Sequence, residues 1–326
     1  MTTTERQEHA PRKLVPFTLN RREIRIEKVT PRKAITATSL GPVGTFSEEV
    51  ALSMLNGQAN LEFSSNNGAI VERVNKGEFD LGIVAFENST EGTVIQTLKS
   101  IIHTDLRILG EHTQQIAQNL FGTEKGREKG IVHSHPQGFA QSRKWLEENI
   151  ANLTTVDEDS TAKGVRIAAE RDEMGIGTMR AGDVYKIPLI QGGIEDSKLN
   201  FTRFWMVGKG ETEPTGNDRT WVISTLKNEP GTLVRMLEAY KKRGISINKL
   251  DTPPLTMDHY YFFTAIDGHE KDPIVAEAIA EAREACWKLK TIGSFEKSTP
   301  PQIDYEPEAY ERGWIPNSEK MQNGKH

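Results

Sequence analysis

The sequence predicts an α/β protein: two α/β lobes, followed by a smaller ferredoxin-like βαββαβ unit. Three observations carry this expectation. Apolar runs of strand length alternate with helix-like periods from Ile35 onward, the pattern of a largely parallel sheet covered by helices. Small polar residues gather where strands give way to helices, which is where open α/β sheets bind ligands. A polar linker at 209–218 then breaks the composition, and the elements beyond it run strand, helix, strand, strand, helix, strand.

Composition excludes several classes. With 326 residues the chain has room for two or three domains. A formal net charge of only -5 gives no broad electrostatic case for nucleic acid. No apolar run approaches the length that spans a bilayer. Cys286 is the single cysteine, so no intrachain disulfide forms and a reducing cytoplasm is the expected compartment. Residues 1–35 are rich in Arg and Lys with glutamates interspersed. They lack the apolar core of a secretory signal, and the acidic residues argue against an organellar one. They read as a flexible basic arm, although residues 15–19 and 24–26 have the makings of short strands.

Organised sequence begins near Ile35. Residues 35–40 read as a strand, Gly41-Pro42-Val43-Gly44 as a turn, and the stretch from Thr45 as a helix. Thr45 or Ser47 can cap that helix, with Glu48 and Glu49 in its first turn. A helix start so placed presents free backbone N–H groups, so Thr45, Phe46 and Ser47 form a candidate seat for a carboxylate or phosphate, or simply a cap. Residues 61–63 are a short strand, and a helix opens at Asn67. Residues 79–86 are nearly continuous in apolar character, as in a buried parallel strand. That run ends at Glu87-Asn88-Ser89-Thr90-Glu91-Gly92, ahead of helical periodicity over 94–102. Asn88, Ser89 and Thr90 offer an amide and two hydroxyls to an anion while also suiting a cap.

Residues 106–111 form a strand that leads to a crossover. After it, 130–133 is a strand and Ser134-His135-Pro136-Gln137 a helix start, with Pro136 in the first turn. His135 is a candidate acid or base, or a cap. Strands at 153–156 and 174–177 flank a helix opened by Asp159-Ser160-Thr161-Ala162. The densest constellation is Asn200-Phe201-Thr202-Arg203-Phe204, where a polar loop enters an apolar strand that returns the chain to the first lobe. A hydroxyl and a guanidinium at a strand mouth suit an interlobe cleft; a strand start with a surface arginine is the plainer alternative. Past the linker, strands at 220–226, 244–250, 260–266 and 287–292 alternate with helices that start at Pro230-Gly231-Thr232-Leu233 and at Pro273. Residues 298–326 are polar and proline-bearing, a composition expected to be partly disordered.

Five of these stretches, Gly41-Pro42-Val43-Gly44-Thr45-Phe46-Ser47, Glu87-Asn88-Ser89-Thr90-Glu91-Gly92, Ser134-His135-Pro136-Gln137, Ser160-Thr161-Ala162 and Asn200-Phe201-Thr202-Arg203-Phe204, resemble the prephenate dehydratase family in order and spacing. The resemblance implies a periplasmic-binding-protein-like two-lobed catalytic domain over 36–208 and an ACT regulatory domain over 219–297. It implies a homodimer or homotetramer, no metal and no organic cofactor. A fused chorismate mutase is not expected, because no helical segment of sufficient length lies in front. The implied reaction turns prephenate into phenylpyruvate, water and carbon dioxide.

Prephenate carries two carboxylates and a ring hydroxyl, so the site needs anion recognition, orientation and a donor for the departing hydroxyl. On the resemblance, Thr202 assists that hydroxyl, with His135 or Glu87 as the ionising alternative. Arg203 suits the pyruvyl carboxylate because a guanidinium binds two oxygens at once. Neutral donors from Asn88, Ser89, Ser160 and Thr161 suit the ring carboxylate, which must lose its charge; Thr90 and Phe204 complete the expected set.

Two departures from the family pattern stand out. Ile116-Ala117-Gln118-Asn119-Leu120 replaces a histidine-bearing stretch, so the cleft should differ near Gln118. The regulatory signature Glu-Ser-Arg-Pro becomes Asp251-Thr252-Pro253-Pro254, while the Gly-Ala-Leu motif is nearly kept as Gly231-Thr232-Leu233. Phenylalanine regulation through Gly231, Leu233 and Asp251 is therefore expected to be weakened, altered or absent. Arogenate dehydratase and a prephenate decarboxylase of a secondary pathway are the neighbouring alternatives, and a non-catalytic binder of an anion or amino acid is the alternative of another class. Retention of both Thr202 and Arg203 favours dehydration.

Overall fold

The structure is a computed structural model and describes residues 14–257 and 259–298. Strands β1 (Leu14–Leu19) and β2 (Arg22–Glu27) form a hairpin ahead of the first lobe. That lobe contains β3 (Ile35–Leu40), α1 (Phe46–Leu55), β4 (Ala59–Ser64), α2 (Asn67–Asn75), β5 (Leu81–Asn88), β6 (Gly92–Thr93), α3 (Ile95–Ile101) and β7 (Arg107–Gln115). Thr45 caps α1 by accepting the Glu48 N–H, and Asn56 ends it in the left-handed conformation with φ 44°. The helix thus starts where β3 ends, at the rim expected to bind ligand.

The second lobe contains β8 (Asn119–Phe121), α4 (Glu124–Lys129), β9 (Ile131–Ser134), α5 (Pro136–Gln141), α6 (Arg143–Asn149), β10 (Thr154–Asp157), α7 (Thr161–Arg171), β11 (Met174–Gly177), α8 (Met179–Tyr185) and β12 (Leu189–Gln191). Its sheet runs β10-β9-β11-β8-β12. Ser160 caps α7 by accepting the Lys163 N–H. The chain then returns as β13 (Phe201–Gly208), which enters the first sheet to give the order β4-β3-β5-β13-β7. The two crossing segments are tied to each other by backbone bonds, Ile116 N–H to Asn200 O at 2.8 Å and Ile194 N–H to Gln118 O at 2.8 Å. The lobes also touch behind the cleft. At Gly44, φ is +90° and an added Cβ would stand 3.0 Å from the Ala181 Cα of α8, so only glycine fits there.

A short β14 (Gly210–Glu211) follows, then β15 (Asp218–Leu226), α9 (Thr232–Lys241), β16 (Ile247–Asp251), β17 (Phe262–Asp267), α10 (Pro273–Glu284) and β18 (Cys286–Glu296). The antiparallel sheet order β16-β17-β15-β18 is the ferredoxin-like one. One face packs on α9 and α10 around Met236, Tyr240, Ile279 and Leu289. The other face joins the first lobe in a common core. Phe86 and Trp205 stack at 4.0 Å, and Trp221 of β15 meets them edge-on at 5.2 and 5.1 Å. A boundary drawn from composition thus falls across continuous apolar packing.

The stretch expected to be a flexible arm needs correction over its described part. Asn20 and Arg21 take φ of 49° and 67°, the two-residue turn that matches strand twist. Alternation then turns Phe17, Leu19, Ile24 and Ile26 inward, all buried. Gly210 and Glu211 of the expected linker pair with β2 as a third strand. Phe17 and Leu19 share a core cluster with Val50, Met54 and Phe204, so the hairpin backs the floor of the cleft. Phe17→Ala is expected to lower stability by about 3–5 kcal/mol, read from its denaturant midpoint. An unchanged midpoint would restore the arm reading. Residues 1–13 and the tail beyond 298 lie outside the described residues.

Candidate active site

Between the lobes lies a cleft of about 260 Å³. Its floor is apolar, from Leu40, Phe46, Ala85, Ile116 and Phe204. Its polar lining comes from Thr45, Ser47, Asn88 and Thr202 of the first lobe and from His135, Asp159, Ser160 and Thr161 of the second, with Gln118, Gln137 and Gln141 between them. Two helices of opposite lobes, α1 and α7, begin at this cleft. Their first N–H groups have no intrahelical acceptor, and both dipoles place positive potential there. An adjoining depression of about 670 Å³ shares Leu40, Thr45, Asp159 and Ser160 and adds Lys163, Arg166 and Tyr185. Burial pushes the Tyr185 phenol up, with Arg166 pulling it the other way. It stays protonated at neutral pH and donates to the Val43 carbonyl at 3.0 Å.

The arrangement around Thr202 determines which way its proton points. Asn88 Oδ1 accepts the backbone N–H groups of Thr90 and Glu91 at 2.9 and 3.0 Å. Those donors fix the side-chain amide, so Nδ2 must face the other way. There it donates to Thr202 Oγ1 and to Asn200 Oδ1, each at 2.9 Å. Thr202 Oγ1 is therefore an acceptor toward Asn88, and its own hydrogen is left to donate into the cleft. Antiparallel pairing of Thr202 with Asn88 places the two side by side. Nearby, His135 Nδ1 accepts the Gln137 N–H at 3.2 Å, so its neutral ring carries its proton on Nε2.

Several expected site residues lie elsewhere. Arg203 does not line the cleft. Successive strand residues point to opposite faces, so with Thr202 facing in, Arg203 faces out and pairs with Glu87 at 3.0 Å. Glu87 lies beyond reach of the cleft for the same reason. Ser89 donates to the Leu199 carbonyl at 2.8 Å and accepts the Phe201 N–H at 2.9 Å, which extends the β5–β13 ladder rather than facing a ligand. Thr90 sits in the exposed turn, and its amide serves Asn88. Gln118 and Gln141 also line the cleft: Gln118 is 2% exposed and donates from Nε2 to Gln141 Oε1 at 2.8 Å, while its own Oε1 is buried without a partner. For Gln118 the only sequence signal was the departure at 116–120, and Gln141 carried none.

In the ferredoxin-like unit, Gly231 and Leu233 line a depression of about 510 Å³ together with Leu255, His259, Tyr260 and Trp287. Gly231 has φ +79° at the start of α9. Asp251 is not part of that depression; it accepts the Thr93 hydroxyl of the first lobe at 3.0 Å. Among the described residues no metal-ligand cluster occurs, and no helix is long and apolar enough to cross a membrane.

Comparison with known proteins adds the following. The family model described as prephenate dehydratase matches residues 37–212. A bifunctional chorismate mutase/prephenate dehydratase of Aquifex aeolicus is 33% identical over 281 residues, 85% of this chain and 78% of that protein. A prephenate dehydratase of Amycolatopsis methanolica is 31% identical over 276 residues, 82% of this chain and 91% of that protein. Among solved structures, a prephenate dehydratase of Arthrobacter aurescens in complex with L-Phe superposes with a TM-score of 0.74 at 28% identity, over 89% of this chain and 100% of that one.

Proposed function

The chain belongs to the prephenate dehydratase family, and from that premise we propose that the interlobe cleft, within a catalytic unit over 36–208, converts prephenate to phenylpyruvate, water and carbon dioxide as a carbon–oxygen lyase. The observation that carries this is the hydroxyl of Thr202, which accepts from Asn88 at the cleft wall and so keeps its own hydrogen free to donate into the cleft. The ring carboxylate leaves as carbon dioxide, and its bonding pair enters the ring and expels the oxygen on the opposite ring carbon. That oxygen takes up a proton and departs as water. Thr202 donates the hydrogen bond at that atom as the C–O bond lengthens, and any proton it passes on is restored to it from solvent water.

The apolar floor favours loss of the carboxylate charge, since a carboxylate beside Leu40, Phe46 and Phe204 gives up hydration and carbon dioxide does not. No lysine or arginine lines the cleft among the described residues, so no salt bridge there opposes that loss. The pyruvyl carboxylate is assigned to the starts of α1 and α7, with Ser47, Ser160 and Thr161 as neutral donors and Lys163 and Arg166 along the adjoining rim. Arg203 takes no part in binding it.

Residues 219–297 are assigned as an ACT-like regulatory unit, and the protein as a cytoplasmic homodimer or homotetramer. The sheet order and the depression at Gly231 and Leu233 support an effector site. With Asp251 turned to Thr93, isothermal titration with phenylalanine is expected to show weak heat and little inhibition. Tight binding with inhibition would contradict that. Parallel turnover of prephenate and arogenate tests the function itself: phenylpyruvate from prephenate at the higher kcat/KM is expected, and faster turnover of arogenate would move the assignment to the amino analogue.

A further inference from the structure

Arg203 and Glu87 stand back to back with the residues that hold the reacting hydroxyl. Thr202 pairs with Asn88 and Arg203 with Glu87, as neighbouring rungs of the same β5–β13 ladder. What waits on the reverse face is the ferredoxin-like unit. Glu87 accepts Arg203 Nη1 on one oxygen at 3.0 Å and Lys249 Nζ of β16 on the other. Lys249 Nζ also lies 3.4 Å from Asp251 Oδ2, and Asp251 accepts the hydroxyl of Thr93 in β6 at 3.0 Å. These four charged side chains are between 19% and 29% exposed, so solvent screens them less than surface pairs.

We propose that Lys249 and Asp251 are positioning residues for the cleft: by holding both strands of the β5–β6 hairpin from behind, they fix Asn88 and, through it, the direction of the Thr202 hydroxyl. The turn of the hairpin is tied directly to that amide. Its turn amides at Thr90 and Glu91 close on Asn88 Oδ1, so a shift of the turn is a shift of the amide that orients Thr202. Its first strand is braced by Phe86, stacked on Trp205, with Arg203 Cζ and Lys249 Nζ 5.9 and 6.0 Å from the Phe86 ring centroid. Its turn also reaches the second lobe, where Gln137 Nε2 donates to the Glu91 carboxylate. One hairpin therefore joins β16 to both walls of the cleft. Asp251 in turn opens the segment that leads to Leu255 in the depression shared with Gly231 and Leu233. The inference rests on the proposed dehydratase reading for its kinetic meaning and on geometry alone for its structural one.

The test uses the full chain with Lys249→Met, Lys249→Arg and Thr93→Val. Hydrogen exchange at the Thr90 and Glu91 amides reads the hairpin without any turnover. In Lys249→Met it is expected to rise about tenfold, with global melting little changed. In the same variant kcat for prephenate is expected to fall about tenfold or more with KM nearly constant, and Lys249→Arg to recover most of both readings. Thr93→Val removes the second attachment alone and carries the same readings should Lys249→Met not fold. Unchanged exchange in both Lys249→Met and Thr93→Val overturns the proposal, as does unchanged kcat alongside a lowered melting temperature, which marks a merely stabilising ion pair. A wild-type protein without dehydratase turnover would overturn the function proposed above, and the exchange arm would still decide this one.

Discussion

Replacing Thr202 with alanine is expected to lower kcat for prephenate by about 10²-fold or more, with KM changed far less. The hydroxyl acts when the C–O bond stretches and charge grows on the departing oxygen, so its loss falls on the transition state rather than on ground-state binding. Thr202→Ser keeps the acceptor for Asn88 Nδ2 and the free hydrogen, and is expected to retain most of the rate. Thr202→Val keeps the shape without either and should resemble the alanine variant. Near-wild-type turnover in Thr202→Ala would transfer the role to an ionising group. His135 lines the cleft and would inherit it; Glu87 is on the opposite face of its strand.

Asn88→Asp is expected to cost about 10²-fold in kcat while leaving the fold nearly intact, a sharper test of orientation than truncation. Aspartate keeps an oxygen for the Thr90 and Glu91 amides, so the turn survives. It replaces the Nδ2 donor by a second acceptor, toward which the Thr202 hydroxyl now points its hydrogen. That hydrogen is then withdrawn from the cleft. Asn200 can accommodate the change: its Nδ2 is buried without a partner, and rotating its amide would present that donor to the new carboxylate. Retained stability with lost turnover would assign Asn88 to orienting Thr202. Retained turnover would show that the direction of the Thr202 proton does not matter.

Much of this was legible in the sequence because strand-to-helix junctions carry their own signature. A strand followed by a capping hydroxyl locates the starts of α1 and α7, with a glycine turn between them at α1, and both reach the cleft. The return of the chain through β13 was equally plain from a polar run meeting an apolar one. Arg203 departs from its expected place because neighbouring residues in a strand are the pair that cannot share a face, so a cleft-facing Thr202 turns Arg203 away. The hairpin at the N-terminus carried a period-two apolar pattern, Phe17, Leu19, Ile24 and Ile26, around a two-residue turn. Its arginines, Arg21 at the turn and Arg22 and Arg25 on β2, are exposed and hid that pattern in the composition. Three-residue strands such as β8 and β12 offer no period at all and are set by their neighbours in the sheet. Gln118 and Gln141 meet only through tertiary folding, from a crossing segment and the end of α5.

The most direct measurement is the amount of phenylpyruvate formed per prephenate consumed by the purified wild-type protein, followed by enolate absorbance in base. The account predicts one phenylpyruvate for each prephenate, at a rate that collapses in Thr202→Ala. Prephenate consumed without an aromatic product, or not consumed at all, would contradict it.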